Sequence, residues 1–129
     1  MEDKKKVKKH KDQSNHYFEN ALQYIRIGDA EEASEFLWGS MAQALRAVTA
    51  SRGITLRSHN QVRTYAAELA RALNDENIWH AFTNAQSLHS NFYEAGLSLE
   101  EVQTYAERIR TTVGKLLRLI SEEEDIKKN

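Results

Sequence analysis

The sequence predicts an all-α protein, a bundle of about five helices. Three observations predict it. The 129 residues contain no proline, apolar residues recur at helical spacing, and three segments open with the form of a capping box. The length suits one domain with one core shared between its helices.

The elements follow in chain order. Residues 1–12 carry six lysines and, apart from Met1, one apolar residue, Val7, so they are expected to form a disordered lysine-rich arm. The bundle domain is expected to span residues 13–121. Its first helix runs from about Ser14 to Ile27, with Phe18, Leu22 and Ile25 on one face. The second opens at Asp29-Ala-Glu-Glu32 and continues to about Arg52. Leu37, Trp38, Met41, Leu45 and Val48, with several alanines, wrap most of its circumference. Such a helix is central, or shared with a partner chain. After a short linker, Ser58-His-Asn-Gln61 starts the third helix, which ends near Leu73. Asn74 or Asp75 caps the fourth, which stops at Gly96. Ser98-Leu-Glu-Glu101 starts the fifth. Its apolar residues Val102, Ala106, Ile109, Val113, Leu116 and Ile120 alternate steps of four and three, the period of shallow-angle packing. The polar end, residues 122–129, is expected to fray.

Charge and composition narrow the function classes. The formal net charge is -1, so no global field draws the chain to nucleic acid or membrane. The balance is uneven: residues 1–11 sum to +4 and the remainder to -5. Without cysteine there is no disulfide, thiol nucleophile or thiolate metal site, and a reducing, cytoplasmic home is expected. The start is charged and lacks the apolar stretch of a signal peptide. His80 and His89 lie too far apart in helical register for a metal pair, so neither a metal site nor a cofactor is expected. No phosphate-binding glycine loop or nucleophile elbow occurs.

The fourth helix is the segment most suited to function. From Asn77 to Tyr93 it carries no formal charge. At about 100° per residue, Ile78, Phe82, Ala85 and Phe92 share a core arc, and His89 falls among them. His80, Asn84, Ser87 and Asn91 line a separate stripe with Asn77 and Glu94, and Tyr93 lies between the faces. Amides, hydroxyls and imidazoles form directional hydrogen bonds with less desolvation cost than charges. Such a stripe either faces a binding cleft or subunit interface, or packs under a neighbouring helix with its polar groups satisfied internally. His89 is in turn either a core histidine with one partner or a cleft residue. Arg57, His59 and Arg63 form a small basic cluster at a helix start that suits a phosphate, or they are simply solvated. The lysine arm is open to the same two readings.

One ordering of segments is similar to a known family. Gly28-Asp-Ala-Glu-Glu-Ala-Ser-Glu-Phe-Leu-Trp38 is followed by Arg57-Ser-His59, then by Leu88-His-Ser-Asn-Phe-Tyr-Glu94 and a last amphipathic helix. From about Phe18 to Leu119 this resembles the archaeal PaREP branch of the HEPN superfamily. The resemblance implies an antiparallel HEPN-like bundle, commonly a homodimer, that binds nucleotide or RNA or partners a nucleotidyltransferase. Many relatives are metal-independent ribonucleases carrying Arg, four to six residues, then His. His89 resembles that His, but the positions open to the Arg hold Phe82, Thr83 and Asn84. The spacing recurs at Arg52 and His59, in the wrong place for the family motif. A non-catalytic domain binding through the fourth helix or a dimer interface is therefore expected. A ribonuclease using His89 or His59 is the alternative, and a tetratricopeptide-like adaptor a further one, disfavoured by the lack of a repeat.

Overall fold

A computed structural model describes residues 3–128. Among them are five helices and no strand: α1 (Lys4–Arg26), α2 (Ala30–Ser51), α3 (His59–Ala72), α4 (Glu76–Glu94) and α5 (Leu99–Lys128). The starts expected from the sequence are capped as their residues dictate. Asp29 accepts from the Glu32 amide, and Ser58 from the Gln61 amide, each at 3.1 Å. Ser98 and Glu101 cap each other reciprocally, also at 3.1 Å.

Contacts fix the directions. His10 meets Gln43, Ser14 meets Ser40 and Tyr17 meets Phe36, so α1 and α2 run antiparallel. The pairs Ser34 with Asn91 and Trp38 with Phe82 set α4 antiparallel to α2. Asp75 with Lys115 and Asn84 with Arg108 do the same for α4 and α5. The second helix is the hub, touching all four others. Between Glu32 and Ser51 none of its residues is freely exposed. Leu37, Met41, Leu45 and Val48 are fully buried, and the heptad-like face of α5 from Val102 to Ile120 closes the core beneath them. Gly39 lets α1 come close: a β-carbon there would stand 3.0 Å from the Tyr17 ring.

Two ends depart from expectation. The segment read as a disordered arm is helical from Lys4, and Met1 and Glu2 lie outside the described residues. Asp3 caps the amides of Lys5 and Lys6, Val7 is buried to 4% exposure, and His10 reaches Gln43 at 2.5 Å. One well-placed valine and the neighbouring helices order a segment whose composition alone would not. The polar end is likewise helical through Lys128, with Asn129 outside the described residues. At the end of α4 the left-handed residue is Ala95 (φ 53°) rather than Gly96.

Arg52, Tyr65 and Glu123 tie α3 and α5 to the end of α2. The Arg52 guanidinium donates to Tyr65 Oη at 2.8 Å and to Glu123 Oε2 at 2.7 Å. The hydrogen bond to Glu123 is the main reason the guanidinium holds its proton more tightly than usual. Burial pushes the Tyr65 phenol above its ordinary value, against the lowering pull of Arg52. The folded state thus retains the phenol proton longer than the unfolded chain. That contribution is fully present below the unfolded tyrosine value of about 10, and is lost as pH rises through the folded value. Tyr65→Phe is expected to lose less melting temperature than the parent between about pH 9 and about pH 11. Equal losses in a thermal melt series would contradict this.

Candidate functional site

The linker after α2 assembles the site. Residues 54–57 adopt neither turn nor helix and carry the chain back along α2. Ser58 then caps α3 and sets His59 on the Trp38 indole, with rings stacked at 4.9 Å and 21°. Beside it, α4 brings His89 to 5.1 Å from the same indole. The two imidazoles are 6.2 Å apart. Buried Phe82 meets Trp38 edge-on beneath them, and Tyr93 stands edge-on to His89 at 5.6 Å. The aromatic series continues through Trp79, stacked on Phe82, to the Arg63 guanidinium, 5.3 Å from the Trp79 ring centre.

A carboxylate orients one imidazole. His89 Nδ1 lies 2.9 Å from Glu35 Oε2, one helical turn before Trp38 on α2. Hydrogen-bonded through Nδ1, a neutral ring keeps Nε2 as its acceptor. Its side chain is 33% exposed, not largely out of water as its place on the apolar arc suggested. The ring leaves the core between Phe82 and Tyr93 because Glu35 and Trp38 offer it polar and aromatic partners at the rim.

The expected residues do not form one cleft. His89 and His59 lie against Trp38, and the 72% exposed Tyr93 lies against His89. Arg57 is exposed two residues before His59, its amide donating to Gln61 Oε1. The stripe on α4 divides. His80 turns toward α3 in a separate hollow with Arg71 and Trp79. Asn84 Oδ1 accepts from Arg108 of α5 at 2.7 Å, and Ser87 is exposed. Asn91 is 3% exposed, and its amide is engaged at both ends: Nδ2 donates to Ser34 Oγ at 2.8 Å and Oδ1 accepts from the Leu97 amide at 2.6 Å. It fastens the α4–α5 turn to α2. Glu35 and the central place of Trp38 were missed by sequence reasoning. Their spacing of three on one helix was the available signal, but nothing local connects it to His59.

The fold and this face define a small helical-bundle protein with an aromatic, imidazole-bearing rim. The chain belongs to the archaeal PaREP1/PaREP8 family, whose profile matches residues 9–113. A crystal structure of a Sulfolobus solfataricus protein is similar, with a TM-score of 0.69 at 21% identity over 85% of this chain and 94% of that one. That likeness shows the shared fold. No curated protein matches the chain.

Asn91→Ala is expected to cost about 1–3 kcal/mol of stability, because Ser34 and the Leu97 amide lose a buried partner. A variant as stable as the parent would contradict the role given to Asn91.

Proposed function

We propose that the chain is a non-catalytic HEPN-like domain that binds a nucleotide or RNA through the face around Trp38, and does so as a homodimer. The observation that carries the reading is the Trp38 indole flanked by the His59 and His89 rings. Flat aromatic surfaces take bases by stacking, worth about 1–3 kcal/mol per base. Arg57 and Arg63 on the α3 side supply cations for a phosphate. The family resemblance supports the ligand class. The lack of an Arg at Phe82, Thr83 or Asn84 supports a binding rather than a cleaving role. The half-exposed outer face of α2, with Tyr93 beside it, supports self-association or a nucleotidyltransferase-type partner.

One observation favours a second reading, a metal-independent ribonuclease. Glu35 orients His89, and His59 stands 6.2 Å from it, so two imidazoles are placed to share the roles of base and acid.

A series of mononucleotides and short single-stranded RNAs is expected to contain a ligand that raises the melting temperature, since a ligand at about a hundred times its Kd adds roughly 2.7 kcal/mol to the native state. Trp38→Ala should reduce that rise. No shift with any nucleotide or RNA removes the binding reading. RNA cleavage that survives EDTA and is lost in both His59→Ala and His89→Ala would establish the second reading instead. Sedimentation should give a dimer at high micromolar concentration, and a monomer there ends that part of the proposal.

A further inference from the structure

A second feature lies at the end of the bundle where α1 begins and α5 ends. A groove of about 590 Å³ is lined by Lys4, Lys8, Lys11, Lys127 and Lys128, with Val7, Asp12 and Glu124. Among the described residues that line it, five lysines against two acids leave a formal charge of +3. The steps from Lys4 to Lys8 to Lys11 are four and three, so these three share one face of α1, while Lys5, Lys6 and Lys9 lie on others. Part of this charge already serves the chain: Lys8 pairs with Asp12 at 2.6 Å, and Lys127 and Lys128 stand in the last turn of α5, where cations suit the helix macrodipole. Lys4 stands in the first turn of α1, which has no acidic residue, and a cation there opposes the macrodipole. The excess of lysine over acid among the described residues favours an anion brought to the groove.

We propose that this groove holds the phosphodiester backbone of a single-stranded polynucleotide, so that the ligand of the protein is a strand rather than a free nucleotide. Lys4 to Lys11 spans about 10 Å of helix, the rise of roughly three stacked nucleotides. Three phosphates also match the formal charge of the walls. The shape is concave, which suits a strand. The choice of a polynucleotide among polyanions rests on the reading of the aromatic face; the anion affinity of the groove does not.

The test is fluorescence anisotropy of a short labelled single-stranded RNA, and of DNA of the same sequence, titrated with the full chain across a salt series. Three neutralised phosphates predict a log–log salt slope of about -2. The triple variant Lys4→Gln, Lys8→Gln, Lys11→Gln should lose most of that slope and at least about tenfold in affinity at low salt, for RNA and DNA alike. The corresponding triple change to Arg should keep the slope. Trp38→Ala should keep it too. Circular dichroism confirms that each variant folds. The inference is overturned if the glutamine variant keeps the parent slope, if the parent binds no strand, or if the parent binds phosphatidylserine vesicles and ignores the strand. If the glutamine variant fails and Trp38→Ala binds as the parent does, the groove stands and the aromatic-face reading falls. The opposite pattern sinks the groove and spares the face.

Discussion

From Glu32 to Ser51 the second helix has no freely exposed residue, and the rest of the molecule is arranged to keep it so. Its alanines, Ala33, Ala44 and Ala47, are fully buried and let neighbours approach closely, while Leu37, Met41, Leu45 and Val48 fill the space between them. Cutting one of the large side chains to alanine in such a place costs about 2–5 kcal/mol. Each other helix covers a part of α2. One arc remains half open, between α1 and α4, which do not touch each other. The open arc is where Glu35 and Trp38 meet His89, so the site lies where the wrapping of the central helix is incomplete.

The buried polar groups hold that arrangement in register. Ser14 and Ser40 exchange hydrogen bonds with each other's carbonyls across the α1–α2 contact, and Asn91 links Ser34 to the turn after α4. No buried side-chain nitrogen or oxygen among the described residues lacks a partner. Apolar packing tolerates small slides of one helix past another. Paired hydroxyls and amides do not, since a slide would strand them without water. Trp38 therefore sits opposite His89 at a fixed height.

Much of the fold is legible in local sequence because its signals are local. Asp29, Ser58 and Ser98 each announce a helix start, and the buried residues of α5 follow their apolar period. The helical start of α1 is not legible, since Val7 gains its value from neighbours distant in sequence. The same limit governs the site. His89 stands out by its place on an apolar arc, and His59 by its basic neighbours. That they share one indole depends on the path of a linker with no periodic signal. Asn91 read as a polar stripe residue because pattern alone does not reveal which side a turn will close over it.

The linker between α2 and α3 has a consequence of its own. Residues 54–57 make no turn and add little to the core, although Leu56 is partly buried. The phase of α3 is set further along, by the buried Val62, Ala66 and Leu69. A residue inserted in this stretch lengthens a surface loop, a change that adds little entropic cost, while the same three side chains hold α3 in place and keep His59, its first residue, on Trp38. The site is thus anchored through the core rather than through the length of the linker. Within this fold, relatives that keep these core residues but differ by a residue or two in this span would be equally well folded and keep the same face.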